Sequence, residues 1–169
     1  MKRFGISLFV AILGLVFSTS TVIAEMAKEG SGEFRGVKSG TYEVLMLGED
    51  RFQMNYDETG AFVEAPENSP FTNATLHSMG TLHAIKGEFK THGGLLFVRP
   101  NGDQIFCVYE SQGIIGEGVT AGATEIIGGT GDCSGITGKL ESLPRPISKR
   151  SKKGTYQHIM IGKVSWKIP

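Results

Sequence analysis

The stretch that decides the fold is GGTGDCSGITGKL, residues 128–140. A glycine-rich segment binds phosphate when it lies between a strand and a helix, and the Walker form also needs Lys followed by Ser or Thr. Here residues 125–127 have the character of a strand, and residues 136–141 alternate as another strand. We therefore predict that residues 128–135 connect two strands, with glycines supplying positive φ angles and close backbone approach.

Alternation with period two extends over much of the remaining chain. Residues 41–46 and 51–56 alternate, and residues 155–168 form a long final strand. One face of that last strand carries Tyr156, His158, Met160, Val164 and Trp166. With 24 glycines and no convincing amphipathic helix, the pattern predicts an all-β domain, either a closed antiparallel barrel or a sandwich.

A hairpin is predicted around Pro-Asn-Gly-Asp at residues 100–103, because an Asn-Gly centre favours a two-residue turn. Counting outward from that turn pairs Phe97 with Phe106 and makes both faces of the hairpin apolar. One face can fill a barrel, and the other needs a cover. We therefore expect a homo-oligomer, a dimer or a trimer, with Phe97 as a candidate interface residue.

Residues 1–24 have the pattern of a signal peptide. Lys2 and Arg3 precede an apolar run at residues 8–17, and residues 22–24 offer a cleavage site. An uncleaved anchor is the alternative, but the run is shorter than the roughly 20 residues of a stable membrane span. The expected product is exported, periplasmic or secreted, with one barrel domain at residues 25–169.

The charge of the chain is balanced, with 17 basic and 17 acidic residues, which disfavours a nucleic-acid partner. Basic residues are concentrated only in the stretch 145–153, RPISKRSKK. This stretch is interpreted as a solvated loop between strands or, alternatively, as a contact for an anionic lipid or polysaccharide.

Two cysteines, Cys107 and Cys133, remain in the exported chain. An oxidising compartment permits a disulfide between them, and two buried free thiols are the alternative. No histidine is close to either cysteine in sequence, which disfavours a catalytic thiol. The sequence also lacks a nucleotide-binding loop and a cluster of metal ligands, so we expect no cofactor and no metal.

The segment GTGDCSGITG at residues 129–138 resembles the Gly-Thr-Gly signature of allene oxide cyclase and dirigent-like barrels. Residues 102–106, GDQIF, are similar to the strand-opening Gly-Asp segment of that family. The resemblance implies a closed eight-stranded antiparallel barrel of the allene oxide cyclase-like type, commonly trimeric in plants, whose interior binds an apolar or aromatic small molecule. No catalytic residue of the plant enzymes is carried over by these motifs.

The candidate ligand-binding residues are aromatic or methionine side chains on predicted strands, namely Phe52, Met54, Tyr56, Tyr156, Met160 and Trp166. Candidates for proton transfer are His77, His83, Tyr109, Glu110 and His158. His77 and His83 share one face of residues 73–84, and the sequence leaves open whether that face points inward.

Three functions remain open. The expected one is an exported barrel that binds a largely apolar small molecule in its interior. A second is a cofactor-independent cyclase, isomerase or lyase that works by proton transfer. A third is a structural or surface-interaction protein that uses the basic stretch 145–153.

Overall fold

A computed structural model describes residues 25–146 and 152–169, which form one closed antiparallel barrel of eight strands. Each strand pairs with its neighbours in chain order, and β8 closes the barrel against β1. The strands are β1 Glu29–Gly48, β2 Arg51–Glu64, β3 Thr75–Ile85, β4 Glu88–Val98, β5 Gln104–Ile114, β6 Gly118–Gly129, β7 Thr137–Pro146 and β8 Thr155–Lys167. The expected eight-stranded antiparallel barrel is confirmed. Within the described ranges, no helix has the length and apolar character needed to cross a membrane.

One end of the barrel is closed by a packed aromatic core. The connection between β2 and β3 contributes Phe71, which is fully buried and packs against Phe62, Phe97 and Trp166 at ring-centroid distances of 5.8, 5.2 and 6.3 Å. The indole Nε1 of Trp166 donates a 2.9 Å hydrogen bond to the carbonyl of Ala27, which fixes the start of the described chain to this end. Most of the hydrophobic core lies here.

The described residues leave the opposite end of the barrel open. Because each strand is antiparallel to the next one along the chain, the turns that follow β1, β3 and β5 lie at the same end of the barrel. These turns are short, and a glycine with positive φ lies in or directly before each of them: Gly48, Gly87 and Gly116. β7 ends and β8 begins at this end, and residues 147–151 of the basic stretch lie outside the described residues.

The glycine-rich segment connects β6 to β7, as the sequence predicts. Gly131 and Gly135 have φ angles of 54° and 75°, the left-handed region that glycine tolerates best. The carboxylate of Asp103 accepts a 3.0 Å hydrogen bond from the backbone N–H of Asp132, and a Cβ at Gly131 would collide with that carboxylate. The segment is thus a connection between two strands, and its backbone N–H binds a carboxylate of the same chain.

The hairpin between β4 and β5 differs from the prediction. Its loop holds three residues, 100–102, because the N–H of Arg99 bonds to the carbonyl of Asp103 and the N–H of Gly102 bonds to the carbonyl of Arg99, both at 2.9 Å. Pro100 suits the second position of a type I turn, and Gly102, with φ of 90°, supplies the left-handed residue that follows such a turn. The predicted two-residue turn is therefore wrong.

This turn moves the register of the hairpin by one residue. Phe97 pairs with Ile105, and Leu96 pairs with Phe106. Because a slip of one residue exchanges the two faces of a strand, Phe97 is fully buried inside the barrel and Phe106 lies outside. The expectation that Phe97 lies at a subunit interface is wrong, and Phe106 occupies the corresponding outer position.

The two cysteines are free thiols, and both are buried. Cys107 points into the barrel from β5, and burial raises its pKa to about 12. Burial also raises the pKa of Cys133, which is the last residue of the short 3-10 turn Gly131–Cys133. Of the two alternatives left open by the sequence, the structure has the pair of buried thiols.

Candidate binding cavity

A cavity of about 880 Å³ occupies the open half of the barrel. Its volume is within the range of about 300–1,000 Å³ that is usual for small-molecule sites. Apolar side chains on the inward faces of neighbouring strands form most of its wall: Val44, Met46, Phe52, Met54, Leu82, Phe89 and Val119. The wall is apolar because the strands keep the aromatic and methionine residues of their period-two patterns on the inner face.

Four hydroxyl groups form a connected cluster on the cavity wall, in which Oγ of Ser78 donates a 3.4 Å hydrogen bond to the hydroxyl of Tyr109. The hydroxyl of Tyr56 lies 2.7 Å from that of Tyr109 and 2.5 Å from Oγ1 of Thr91. The two tyrosines fit only because Gly80 and Gly93 face each other across β3 and β4, since a Cβ at either glycine would collide with the Tyr109 hydroxyl. Burial raises the pKa of both tyrosines, so they remain protonated at neutral pH and can donate hydrogen bonds.

The floor of the cavity holds a buried ion pair. The side chain of Glu58 is 3% exposed, and its Oε2 accepts a 2.6 Å hydrogen bond from Nζ of Lys38. The hydroxyl of Tyr156 also bonds to this carboxylate. Gly40, opposite Glu58 on β1, leaves room for the pair, since a Cβ there would come within 2.9 Å of the Glu58 side chain. A charge buried this deeply requires such partners.

His158 lies beside the ion pair. Its Nδ1 is 3.8 Å from Oε1 of Glu58, too far for a hydrogen bond, and it has no hydrogen-bond partner among the described residues. Burial lowers the pKa of His158, and the positive charge of Lys38 lowers it further. The imidazole is therefore neutral at pH 7 and presents an unpaired nitrogen next to a carboxylate oxygen.

Seven of the residues predicted as site residues line the cavity: Phe52, Met54, Tyr56, Tyr109, Tyr156, His158 and Met160. Trp166 does not, because it is buried in the core of the closed end. Glu110 borders the cavity but is exposed and follows the inward-facing Tyr109, so its side chain belongs to the outer face of β5.

His77 and His83 lie on the outer face of β3. The inner face of this strand is set by the buried side chains of Leu76, Leu82 and Ala84, and both histidines are exposed. Nε2 of His77 lies 3.1 Å from Oδ1 of Asp57 on the neighbouring strand. The structure therefore does not bring these two histidines together with the cavity residues.

Sequence reasoning missed several wall residues and Thr91 of the hydroxyl cluster, and above all it missed the two charged residues of the floor, Lys38 and Glu58. A signal for Glu58 is present, because it continues the alternation of Phe52, Met54 and Tyr56 along β2. Lys38 stands between Gly36 and Gly40 on the inward face of β1, where the flanking glycines hide the alternation. Both are charged residues, and charged residues on strands usually face solvent.

The fold of this molecule, a closed eight-stranded antiparallel barrel, is of the dirigent-like type. No family model matches the chain, and a search of curated proteins found no match. Among solved structures, a protein of unknown function from the DUF3224 family of Shewanella oneidensis MR-1 is similar, with a TM-score of 0.54 and 14% identity, covering 83% of this chain and 98% of that one.

A second similar structure is a pterocarpan synthase dirigent protein, with a TM-score of 0.50 and 14% identity. The alignment covers 92% of this chain and 99% of the dirigent protein. At this level of identity the likeness shows the fold alone. It supports the dirigent part of the resemblance found in the sequence, and neither structure is described as an allene oxide cyclase.

Proposed function

We propose that this chain is an exported barrel protein that binds a largely apolar small molecule in the cavity. The observation that carries the proposal is the cavity of about 880 Å³, open at one end and walled mainly by apolar and aromatic side chains. A few polar groups at its middle and floor would orient the ligand, as is common in small-molecule sites. The signal-like residues 1–24 support export to the periplasm or the exterior.

The proposal is tested by identifying what binds. Mass spectrometry of the protein purified from its native compartment should reveal a copurified apolar compound, and a panel of apolar ligands should raise the melting temperature. If no compound copurifies and no member of a broad apolar panel shifts the melting temperature, the proposal fails.

A cavity-filling substitution tests where the ligand binds. Met54→Trp places an indole ring in the middle of the cavity, and we expect it to weaken ligand binding by about tenfold or more through steric overlap. Asn55→Trp adds the same ring on the exposed outer face of β2 and should leave affinity unchanged. Titration calorimetry with a ligand from the panel compares the two variants, and equal affinities would place binding outside the barrel.

Catalysis by proton transfer, as in a cofactor-independent cyclase, isomerase or lyase, is a second candidate function. The Glu58 carboxylate and the unpaired Nδ1 of His158 are 3.8 Å apart at the cavity floor, and either could accept a proton from a bound substrate. Tyr109 and Tyr156, whose pKa values are raised by burial, would act as hydrogen-bond donors. Among the described residues, no group of three or more His, Cys, Asp or Glu is placed to hold a metal ion.

The two candidate functions make different predictions for Glu58→Gln. If Glu58 is a general base, turnover of the copurified compound should fall by about a hundredfold or more, with little change in its affinity. A change in affinity without any turnover in the unmodified protein would favour the binding function alone.

We also propose that the barrel forms a homo-oligomer through an apolar patch on the outside of β3 to β6. Its members point outward and are neighbours in the sheet. Met79 and Val108 are the strand partners of Gly94 on either side, and Leu96 pairs with Phe106. Met79 and Ile127 are 58% and 57% exposed, which is unusual for large apolar residues. We call Met79, Leu96, Phe106, Val108 and Ile127 the outer patch.

Phe106→Lys should dissociate the oligomer into monomers, because it places a charge in the centre of the outer patch. Thr59→Lys adds the same charge at an exposed position of β2 and should leave the assembly intact. Sedimentation velocity at micromolar concentration distinguishes the two variants. A parent protein that is already monomeric under these conditions would remove the proposal.

A further inference from the structure

The cavity floor retains hydrogen-bonding capacity that the described residues, 25–146 and 152–169, do not use. A carboxylate can accept about four hydrogen bonds. Lys38 and Tyr156 each donate one to Glu58, which leaves acceptor positions for a ligand. Nδ1 of His158 is buried and has no partner in the part of the chain that the structure describes. An unpaired buried polar group is unfavourable, so a ligand that pairs with it gains affinity.

The spacing of these two atoms suits one oxygen atom of a ligand. Nδ1 of His158 and Oε1 of Glu58 are 3.8 Å apart, so an oxygen about 2.8 Å from each lies within hydrogen-bonding distance of both. A hydroxyl group can donate its proton to the carboxylate and accept a hydrogen bond from the imidazole when the ring carries its proton on Nδ1. An ether oxygen cannot donate, and an alkane can do neither.

The charges of the floor favour a neutral group. The ammonium of Lys38 balances the carboxylate of Glu58, and His158 is neutral at pH 7, so the three side chains sum to zero. A ligand carboxylate would place a second negative charge beside Glu58 in a site shielded from water, where like charges repel strongly. A neutral hydroxyl avoids this repulsion.

We propose that the ligand is a largely apolar alcohol or phenol whose hydroxyl group binds between Glu58 and His158 while its apolar body extends toward the mouth. Met54 and Leu82 line the wall above the floor, and Val44 and Phe52 continue the apolar wall on β1 and β2. This inference rests on the proposed binding function and adds the chemical class of the ligand.

Three probes that share one apolar chain test the inference: 1-decanol, its methyl ether and decanoate. Titration of the purified protein at pH 7.5, by displacement of a fluorescent apolar dye, gives the three dissociation constants. We expect 1-decanol to bind about tenfold more tightly than the ether, the ratio that a hydrogen bond to a charged group provides. Decanoate should also bind more weakly than 1-decanol.

Glu58→Gln should reverse the preference between the alcohol and the acid. The substitution leaves Lys38 as an unbalanced cation at the floor, so decanoate should gain affinity while 1-decanol loses it. Glu43→Gln, which removes a carboxylate from the exposed outer face of β1, away from the cavity, should leave the order of the three probes unchanged. His158→Phe keeps the ion pair and should reduce the advantage of 1-decanol severalfold, which provides an independent variant if Glu58→Gln does not fold.

The outcomes separate this inference from the proposed function. If the three probes bind equally, or if decanoate binds most tightly to the unmodified protein, the hydroxyl inference is overturned while the apolar binding function stands. If neither these probes nor any other apolar ligand binds, the binding function fails and the inference fails with it. A preference for 1-decanol that survives both Glu58→Gln and His158→Phe would also overturn the inference, because the hydroxyl would then bind elsewhere.

Discussion

Replacing Lys38 with methionine should destabilise the barrel by about 3–5 kcal/mol, the usual effect of removing one partner from a buried ion pair. The methionine fills a similar volume but removes the cation that pairs with Glu58. The Glu58 carboxylate, whose side chain is only 3% exposed, then keeps the hydrogen bond from the Tyr156 hydroxyl but has no balancing charge. Urea unfolding at pH 7.5 measures the loss. A change within experimental error would show that the ion pair does not contribute to stability.

A second ion pair in the same barrel provides a matched control. Nζ of Lys139 lies 2.6 Å from Oε1 of Glu141, the same separation as in the buried pair, but both side chains are more than half exposed. Lys139→Met should leave the urea midpoint nearly unchanged, because water solvates the carboxylate that remains. The two substitutions differ in burial and not in contact distance, so the comparison isolates the effect of the buried site.

The pH dependence of the Lys38→Met variant gives a further check. Lys38 is one cause of the lowered pKa of His158, and its removal leaves Glu58 as the nearby charge, which favours the imidazolium. In the parent protein the lowered pKa makes stability fall as the pH drops below about 6.5, the ordinary value for histidine. In the variant this fall should be smaller or reversed, since a protonated His158 can pair with Glu58. A steeper fall in the variant than in the parent would contradict the electrostatic account.

Combining Lys38→Met with Glu58→Leu should restore most of the lost stability, because the unpaired charge is removed together with its partner. The double variant would therefore be stable and yet lack both charges of the cavity floor. This result would indicate that the pair is retained for what it does to a ligand and not for the fold.

The fold could be predicted from local patterns because strands leave a period of two in the sequence. The alternation in residues 51–56 and 155–168 reflects the inner and outer faces of β2 and β8, and the glycine-rich connection at 128–135 excludes a phosphate loop by its neighbouring strands. These features are local, so a single sequence contains them. The number of strands came from the family resemblance and not from the alternation.

The site was less predictable because it depends on the face that each strand turns inward. The predicted hairpin register at Phe97 was wrong by one residue, because the loop after Arg99 holds three residues and not two, and a shift of one residue changes which side chains share a face. His77 and His83 were possible inward residues until the burial of Leu82 fixed the face of β3. Glu58 and its partner were missed because a pair formed across two strands leaves no spacing in the sequence.

The closed end of the barrel should carry most of its stability, and Phe97→Ala tests this directly. Phe97 is fully buried, and its ring centroid lies 5.0 Å from that of Phe62 and 5.2 Å from that of Phe71. Truncation removes these ring contacts and leaves a void that a barrel wall cannot collapse to fill. We expect a loss of about 3–5 kcal/mol in the free energy of unfolding, measured by urea denaturation.

Phe52→Ala provides the contrast at the open end. Phe52 also points inward, but it is only partly buried and lines the cavity, so its truncation enlarges a space that is already open. Only the transfer free energy of a partly buried ring is lost, roughly 1 kcal/mol, because no new closed void forms. Losses of equal size in the two variants would contradict this division of the barrel. A large loss for Phe97→Ala with a small one for Phe52→Ala would mean that the side chains around the open cavity can vary with the ligand, while those that pack the closed end hold the fold.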